Sequence, residues 1–453
     1  MGLGIQGGGV GIARFLSGAG AIVTVTDIKP KEELASSIEK LKGCKNIAYV
    51  FNTHRPEDFT KADMVIKNPA APWSNKYIKM AVENKVSIEM DSSLFFKLCR
   101  NDIIGVTGTK GKTTTSALIY EILKNAGKNV MKAGVGRISV LDKLNDLKKD
   151  TIVVFELSSW RLSALGRAKL SPKIAVITNI YPDHLNYYKT MEEYVDDKKI
   201  IFAHQTKDDW CVINWDDPAI SHFEPEIRAN LIKVSGSKIT NGRAVYINDG
   251  AIYINNGIDE KKVIDIANIK LRGAHNLGNI MAAIAVGNIY SVDVKNMRKV
   301  LERFSGVVHR LEFVRELGGV QYYNDTSATT PESAINGLNS FSEPVILICG
   351  GSDKKLNLTE FGREIVKKTK AVIFLKGPAT DKIISAIREN LPTEEKEKEF
   401  EIVDSMYRAV ELARAQAQSG DVILLSPGAA SFGMFQNEFD RGDKFKEAVK
   451  GLK

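Results

Sequence analysis

Residues 102–115, which read DIIGVTGTKGKTTT, constrain the fold of this chain more than any other stretch. An apolar run leads into a turn that contains Gly108 and Gly111, and a helical stretch follows. Glycines let backbone N–H groups converge on an anion, and the helix N-terminus adds a favourable partial charge. Lys112 can reach the β- and γ-phosphates of a nucleotide, and the Thr113 hydroxyl can ligate Mg²⁺. The order of strand, turn, Gly-Lys-Thr and helix therefore predicts an ATP site.

The spacing of this loop departs from the common pattern G-x-x-x-x-G-K-[ST]. Val106 stands where the first glycine of that pattern would be. The alternative interpretation is a glycine-rich strand-to-helix turn that carries a surface lysine.

Length and composition bound the class of protein. The 453 residues suggest about three domains, and 43% hydrophobic with 26% charged residues is typical of a globular protein with ample core. The net charge of +8 is spread over scattered lysines, which favours a solvated surface and sites for anionic substrates over nucleic acid. The four cysteines show no paired spacing, as expected for free thiols in a reducing cytosol. Since no apolar run is long enough to span a membrane and no signal peptide is recognisable, we expect a cytoplasmic protein.

The N-terminal segment carries a second glycine pattern. Gly2, Gly4 and Gly7 fit G-x-G-x-x-G, and Asp27 follows twenty residues after Gly7, as in dinucleotide-binding folds. Only Met1 precedes the first glycine, so we expect a Rossmann-like domain without its usual first strand. The pattern leaves open whether the ligand is NAD or some other diphosphate.

Two apolar runs in the middle segment deliver polar residues to their ends. Glu156 follows the first run, and Asp183 and His184 follow shortly after the second. Because ligands bind at the carboxyl ends of parallel strands, we expect these side chains to converge on the loop of Lys112, where they would suit Mg²⁺. The alternatives are a hydrogen-bonded strand-end carboxylate at Glu156 and a helix cap at His184.

Residues 210–270 contain short strand-like runs separated by Gly and Asn turns, which predicts a small antiparallel layer. Asn276 and Asn279 then lie one turn apart at the start of an alanine-rich helix. Their amides can read an adenine edge, although helix capping explains them equally well.

The last segment, from about residue 306, predicts a second α/β unit. Apolar runs at 345–349, 371–375 and 421–425 read as buried strands, and each leads into polar or glycine-rich sequence. An arginine, a lysine, hydroxyls and glycine turns are suited to binding carboxylates and phosphates.

Together these motifs resemble the Mur ligase family of ATP-dependent amide-bond-forming enzymes in peptidoglycan precursor synthesis. The resemblance covers almost the whole chain, and its motifs come in family order. They lie at residues 108–114, 156–159, 178–184, 194–198, 273–276, 309–310, 324–325 and 350–354. Residues 425–432 and 441–445 are most similar to the family members that add D-glutamate.

The resemblance implies an α/β protein of three domains. These would be a UDP-substrate-binding Rossmann-like domain (1–92), a central P-loop ATPase-like domain with a mostly parallel sheet (93–305), and a Rossmann-like glutamate-binding domain (306–453). It further implies phosphoryl transfer from ATP to the carboxylate of UDP-N-acetylmuramoyl-L-alanine, followed by attack of the glutamate amine on the acyl phosphate. A monomer acting on small molecules, with neither nucleic acid nor membrane as partner, is expected.

The resemblance also assigns site residues. Those with catalytic roles are Lys112, Glu156, His184, Lys198 and Arg310. Two Mg²⁺ ions would be held by Thr113, Glu156, His184 and Lys198, with Lys198 carbamylated. ATP would be bound by Gly108, Thr109, Lys110, Gly111, Lys112, Thr113, Thr114, Asn276, Asn279, Arg310 and Asp325. The other substrates would be bound by Gly4, Lys29, Asn68, Ser159, Thr329, Lys354, Ser431 and Phe432.

Three departures from the family pattern leave the exact reaction open. The first strand is missing, residues 133–137 replace a glycine-asparagine segment, and Ser327 stands where a lysine is common. A variant motif of this kind occurs in relatives that add L-glutamate. The motifs are also compatible with a ligase acting on a different carboxylate, such as a folate-type polyglutamate synthetase, and with a nucleotide-binding module without ligase activity. An NAD-dependent oxidoreductase would explain only the N-terminal glycines.

Overall fold

The computed structural model describes residues 1–5, 7–134, 139–182, 187–271, 273, 275–354, 356–397 and 399–453. The chain forms two compact units. The first comprises Met1–Ala267 with Gly278–Val300, and the second comprises Asn268–Leu277 with Leu301–Lys453. Among the described residues, no helix combines the length and the apolar character needed to cross a membrane.

The N-terminal region of the first unit contains four short strands and five helices. They are α1 (Gly8–Gly18), β1 (Val23–Thr26), α2 (Ala35–Glu39), β2 (Ile47–Val50), α3 (Glu57–Thr60), β3 (Met64–Ile66), α4 (Lys76–Glu83), β4 (Ser87–Glu89) and α5 (Asp91–Leu98). Strands β1 and β2 form one parallel sheet, and β3 and β4 form another.

Residues 1–5, all of them described, form no strand, as the sequence predicted. Instead they connect the two small sheets. The Gly2 N–H donates to the Thr26 carbonyl at 2.7 Å, and the Met1 amine donates to the Ile66 carbonyl at 2.9 Å.

The rest of the first unit is built on a nine-stranded sheet. Its elements in chain order are β5 (Ile103–Thr107), α6 (Lys112–Asn125), β6 (Val130–Ala133), β7 (Ile152–Glu156), α7 (Ser159–Ala168), β8 (Ile174–Ile177), α8 (Met191–Ala203), β9 (Trp210–Asn214), α9 (Pro218–Ser221), β10 (Asn230–Ser235), β11 (Ala244–Asn248), β12 (Ala251–Asn255), β13 (Glu260–Asp265), α10 (His275–Ile289) and α11 (Val294–Leu301). The first residues of α10 and the last residue of α11 belong to the second unit.

The strand order is β13-β12-β11-β10-β9-β8-β5-β7-β6. Strand β5 is buried along its whole length because it pairs in parallel with β7 on one side and β8 on the other. The apolar sequence of this strand therefore reflects burial on both faces.

The predicted antiparallel layer over 210–270 is only partly correct. Strands β9, β10 and β11 pair in parallel and continue the central sheet, and only β12 and β13 run antiparallel to their neighbours. The centre of β9, Cys211–Ile213, is fully buried. That burial is typical of an inner parallel strand and not of a half-exposed antiparallel one.

The second unit has a six-stranded sheet with helices between its strands. Its elements are β14 (Glu312–Leu317), β15 (Val320–Asn324), α12 (Pro331–Leu338), β16 (Val345–Gly350), α13 (Thr359–Lys368), β17 (Thr369–Leu375), α14 (Pro378–Asn390), β18 (Glu401–Val403), α15 (Met406–Gln416), β19 (Val422–Leu425) and α16 (Glu438–Gly451). The order is β14-β15-β19-β16-β17-β18, and all pairs except the β14–β15 hairpin are parallel.

The predicted α/β class with mostly parallel sheets is confirmed. Strands β16 and β19 are buried throughout, as predicted, whereas β17 is buried only over its last three residues. The domain limits at residues 92 and 305 stay predictions.

Candidate active site

The glycine loop between β5 and α6 is packed closely at both of its glycines. Gly108 has φ 144°, and a Cβ there would lie 2.0 Å from Thr178 Oγ1. Gly111 caps α6 with φ 84°, and a Cβ there would lie 2.3 Å from Asn279 Oδ1. Neither position tolerates a side chain without a shift of its neighbour, so both glycines are required by geometry.

The residues that follow β8 hold this loop in place. The Thr178 hydroxyl donates to the Lys110 carbonyl at 2.6 Å, and the Asn179 amide donates to the same oxygen at 3.0 Å. In return, the Lys110 N–H donates to Asn179 Oδ1 at 2.8 Å, and the Thr109 N–H donates to the Asn179 carbonyl at 2.8 Å. Thr178 and Asn179 belong to the motif at residues 178–184, but the sequence analysis assigned neither a site role, although their place at the end of a buried strand was a usable signal.

Two lysine ammonium groups lie at one carbonyl of the loop. Lys112 Nζ donates to the Gly108 carbonyl at 2.9 Å and to the Thr109 carbonyl at 3.0 Å. Lys198 Nζ, on α8, donates to the Gly108 carbonyl at 3.0 Å, and the residue is only 1% exposed. The structure thus brings Lys198 to the phosphate loop, whereas its neighbour Lys199 is half-buried and forms an ion pair with Glu226. The metal-binding role of Lys198 stays a prediction.

Glu156 ends β7, the strand next to β5. Its Oε2 atom is buried and, within the part of the chain that the structure describes, has no hydrogen-bond partner. This observation disfavours the alternative of a fully hydrogen-bonded strand-end carboxylate. A buried carboxylate oxygen without a donor is suited to a cation, because burial without a partner is otherwise costly.

The residues present fit a Mg²⁺ site only in part. Hard oxygen donors such as the Glu156 carboxylate and the Thr113 hydroxyl suit Mg²⁺. Asp183 and His184 lie outside the described residues. Within the described ranges, no group of three or more His, Cys, Asp or Glu side chains forms a metal site.

The N-terminal glycine loop is held by an internal carboxylate. Asp27 Oδ2 accepts the Gly4 N–H at 3.0 Å, and Asp27 Oδ1 accepts the Lys29 N–H at 3.0 Å. The Ser37 hydroxyl donates to the Gly4 carbonyl at 2.8 Å. Each oxygen of Asp27 therefore accepts a backbone N–H, one from the glycine loop and one from the segment that follows β1.

The other predicted substrate-binding residues of the first unit differ in exposure and in hydrogen-bond partners. Lys29 is exposed and pairs with Glu33 at 2.8 Å. The Asn68 side chain donates to the Gly2 carbonyl at 3.2 Å and accepts the Ala70 N–H at 2.9 Å, so it joins two loops. Ser159 is buried at the start of α7. Their roles in substrate binding stay predictions.

In the second unit, the loops that follow β15, β16 and β19 carry the predicted glutamate-binding residues. Lys354 Nζ donates to Thr329 Oγ1 at 2.8 Å, so these two predicted residues are brought together. Ser431 is buried, whereas the neighbouring Phe432 is 64% exposed. The Arg310 side chain is exposed.

Two of the predicted ATP-binding residues are buried asparagines on α10. They are Asn276 and Asn279. Asn279 Oδ1 accepts the Thr115 hydroxyl at 3.1 Å, which ties the helix to α6 behind the phosphate loop. Since an amide can still donate from its nitrogen, this bond leaves its predicted role in adenine binding possible.

Asp325 faces inward. Its carboxylate accepts the Ser426 hydroxyl at 2.9 Å and the Leu311 N–H at 3.2 Å. Burial raises the pKa of Asp325 to about 7, against the hydrogen bonds from Ser426 and Leu311. These partners all lie within the protein, and the contact of Asp325 with ribose stays a prediction.

A cavity of about 500 Å³ lies within the second unit, and one of its lining residues is Leu311, the residue whose N–H donates to Asp325. Its lining residues are Ile269, Lys270, Ser305, Leu311, Phe313, Gln321 and Tyr323. Aromatic rings, one ammonium group and two further polar side chains are a mixture common in small-molecule sites.

The phosphate loop has two lysines at the Gly108 carbonyl, of which Lys198 is buried, and the Glu156 carboxylate ends the neighbouring strand, an arrangement that fits an ATP site. Together with a separate α/β unit that carries cationic and hydroxyl side chains, these features are those expected of an ATP-dependent ligase of acids and amines. Comparisons with known proteins give the same class. Residues 106–287 match the Mur ligase middle domain, and residues 309–428 match the Mur ligase glutamate ligase domain.

Two curated relatives align with the entire chain. The UDP-N-acetylmuramoylalanine–D-glutamate ligase of Roseiflexus sp. (strain RS-1) is 43% identical, with 98% of that protein covered. The enzyme of the same name from Clostridium tetani is 36% identical, with 96% covered. The chain belongs to the Mur ligase family, which confirms the predicted enzyme class, an ATP-dependent acid–amino-acid ligase.

Solved structures agree on the fold. The UDP-N-acetylmuramate-alanine ligase of Thermotoga maritima has a TM-score of 0.61 at 20% identity, covering 100% of this chain and 98% of that one. A second ligase of the family from Thermotoga maritima, solved with ADP, has a TM-score of 0.56 at 18% identity, covering 94% of this chain and 95% of that one.

Proposed function

We propose that this protein joins glutamate, in its D form, to UDP-N-acetylmuramoyl-L-alanine at the expense of ATP, in the synthesis of peptidoglycan precursors. The observation that carries the proposal is the full-length similarity to relatives of that name. The geometry of the phosphate loop supports the ATP-dependent half of the reaction.

The reaction has two steps. A carboxylate oxygen of the substrate attacks the γ-phosphorus of ATP and ADP leaves, which gives an acyl phosphate. The glutamate amine then attacks the acyl carbon, loses a proton and expels inorganic phosphate. Both steps bring anions together, so cationic groups and backbone N–H donors must offset the repulsion.

The phosphate loop supplies some of these cationic groups and N–H donors. The Lys112 ammonium now rests on two loop carbonyls and can move to the γ-phosphate by side-chain rotation. Bound Mg²⁺ would neutralise charge on the transferred phosphoryl group, with Glu156 and Thr113 as oxygen ligands. Arg310, Lys354 and Thr329 are the groups of the second unit that we assign to the acyl phosphate and the incoming glutamate.

We assign residues 1–92 to the UDP substrate, 93–305 to ATP and 306–453 to glutamate, and place the enzyme in the cytoplasm, where ATP and UDP-linked precursors are available. The substrates are small molecules. A monomer remains the expected state.

The test is phosphate release from ATP in the presence of UDP-N-acetylmuramoyl-L-alanine, with D- and L-glutamate compared as acceptors. We expect release with D-glutamate and little with L-glutamate. Release with neither would refute the ligase proposal. Preference for L-glutamate would refute only the stereochemistry, and Ser327 in place of a lysine is the feature that would then explain it.

We further propose that Lys198 acts as a carbamate. Two ammonium groups that share the Gly108 carbonyl repel each other, and Lys198 is almost fully buried. The Lys198 ammonium first loses a proton; the neutral amine then adds to CO₂, an N–C bond forms and a second proton is released, so that a buried cation becomes an anion with two oxygens. That anion would attract Lys112 and could ligate Mg²⁺.

We expect Lys198→Ala to lower turnover by about 100-fold or more, as for other groups that hold transition-state charge. Added formate or acetate should restore part of it. Lys199→Ala, one position along the same helix and partly exposed, is the matched control and should stay near wild type. Labelling with ¹³C-bicarbonate should give a carbamate signal by NMR that Lys198→Ala lacks; normal turnover of this variant, or absence of the wild-type signal, would contradict the proposal.

A further inference from the structure

Arg441 is a fully buried arginine near the start of α16. Within the described part of the chain, the hydrogen bonds of its side chain go to two loops of the second unit. Nε donates to Thr326 Oγ1 at 3.0 Å and Nη2 donates to the Thr326 carbonyl at 3.0 Å, while Nη1 donates to the Ala429 carbonyl at 3.2 Å. Burial lowers the pKa of Arg441 to about 10, so the side chain is charged at neutral pH.

This guanidinium occupies the carboxyl end of the six-stranded sheet. Thr326 lies in the loop that follows β15, and Ala429 lies in the loop that follows β19, the adjacent strand. Gly351, after β16, is close as well, since a Cβ there would lie 3.5 Å from Arg441 Nη1. One side chain therefore contacts the ends of neighbouring parallel strands, the edge at which such sheets bind ligands.

Folding alone does not call for an arginine here. Within the described residues, its hydrogen-bond partners are a hydroxyl and two carbonyls, and no carboxylate lies at ion-pair distance. A buried cation is costly, and an apolar side chain of similar volume is often equally or more favourable for stability. The guanidinium carries several N–H donors at fixed spacing, and here they reach two loops. Neither an apolar residue nor a lysine supplies donors in that arrangement.

The same two loops carry residues assigned to the incoming amino acid. Thr329 is three residues after Thr326 and accepts a hydrogen bond from Lys354. Ser431 and Phe432 come two and three residues after Ala429. A shift of either loop would change the spacing between these groups, and displacements of about 1 Å are enough to lower catalytic efficiency markedly.

We propose that Arg441 is a positioning residue for the acceptor amino acid, because its guanidinium sets the distance between the loop after β15 and the loop after β19. This inference rests on the proposed glutamate-adding function. The lysine of a conservative variant could reach one loop but not both.

The experiment compares Arg441→Lys and Thr326→Val with wild type. Thr326→Val removes the acceptor of Arg441 Nε and leaves the Thr326 carbonyl in place. It therefore tests the connection that Arg441 makes between the two loops even if Arg441→Lys does not fold. We expect the KM for glutamate to rise about tenfold or more while the KM for ATP stays within about twofold. Arg408→Lys is the control, since Arg408 is 59% exposed on α15 of the same unit.

Hydrogen exchange followed by mass spectrometry provides a readout that needs no turnover. Amides of residues 326–332 and 427–433 should exchange faster in Arg441→Lys than in Arg408→Lys. Unchanged exchange, or an equal shift in the KM of all three substrates, would overturn the inference. Suppose that the wild type releases no phosphate with glutamate, but exchange is still faster in Arg441→Lys than in Arg408→Lys. The proposed function is then wrong, whereas the role of Arg441 in connecting the two loops is supported.

Discussion

The first unit contains two glycine loops that look alike in sequence and differ in what supports them. Both lead into a helix through a glycine in the left-handed region, Gly7 with φ 88° and Gly111 with φ 84°. Neither helix cap has a side-chain hydrogen bond. The loop at Gly111 follows a strand paired on both sides, whereas the loop at Gly7 follows residues 1–5, which form no strand.

The partners of the two loops differ in a way that bears on ligand binding. In the loop before α6, the side chains of Thr178 and Asn179 bind the Lys110 carbonyl. In the loop before α1, the N–H of Gly4 itself donates to the Asp27 carboxylate. At Gly4 the anion is thus supplied by the protein, so a glycine pattern alone does not identify a phosphate site. The predicted contact of Gly4 with the UDP group would need atoms other than this N–H.

The largest difference between the loops should appear when Lys112 is removed. We expect Lys112→Ala to lower turnover by about 1,000-fold, because the ammonium group that we assign to the γ-phosphate is lost. The melting temperature should change little, since the hydrogen bonds from Lys112 Nζ to the Gly108 and Thr109 carbonyls stay within one loop. Phosphate release and thermal unfolding are the measurements.

Lys124→Ala, on the exposed side of the same helix, is the control for the Lys112 variant. Turnover retained in Lys112→Ala would show that the loop before α6 is no better a phosphate site than the loop before α1.

Alanine at a glycine of each loop should separate them by stability. A Cβ at Gly108 would lie 2.0 Å from Thr178 Oγ1, whereas the nearest atom to a Cβ at Gly4 is Asn68 Nδ2 at 3.9 Å. We expect Gly108→Ala to lower the free energy of unfolding by about 3 kcal/mol and Gly4→Ala by about 1 kcal/mol, the cost of a left-handed alanine alone. Urea unfolding measures both, and equal losses would mean that the two loops are equally constrained.

The smallest effect should come from Asp27→Asn. Asparagine keeps the shape of the side chain but replaces one of the two acceptor oxygens, so one hydrogen bond worth about 1 kcal/mol is lost. We expect the KM for the UDP substrate to rise a few-fold and the KM for ATP to stay unchanged. An equal change in both KM values would indicate that the loops are not independent.

The elements near the phosphate loop could be predicted because their signals are local. The apolar runs of β5, β7 and β8 identify buried strands, and the residue after each run then lies at the carboxyl edge of the sheet. This reasoning placed Glu156 at the end of β7, where the structure has it. The expectation for Asp183 falls outside the described residues and stays a prediction.

The hydrogen bonds that support the site could not be predicted, because they join residues distant in sequence. Thr178 and Lys110 are 68 residues apart, and Arg441 and Thr326 are 115 apart. Arg441 belongs to the motif at residues 441–445, but the sequence assigned it no role, and only the packing of α16 shows that it is buried. The error over 210–270 has a similar origin, because turn residues indicate where strands end but not which strands pair.

The nine-stranded sheet has two outer strands whose unpaired backbone groups could recruit another chain. β13 lies at one edge with Glu260, Lys261 and Lys262 exposed, and β6 lies at the other with Lys132 exposed. Charged side chains on outer strands, lysine above all, oppose edge-to-edge association because pairing would bring like charges together and strip them of water. These lysines therefore help to keep a wide, largely apolar sheet from aggregating at the concentrations reached in a cell.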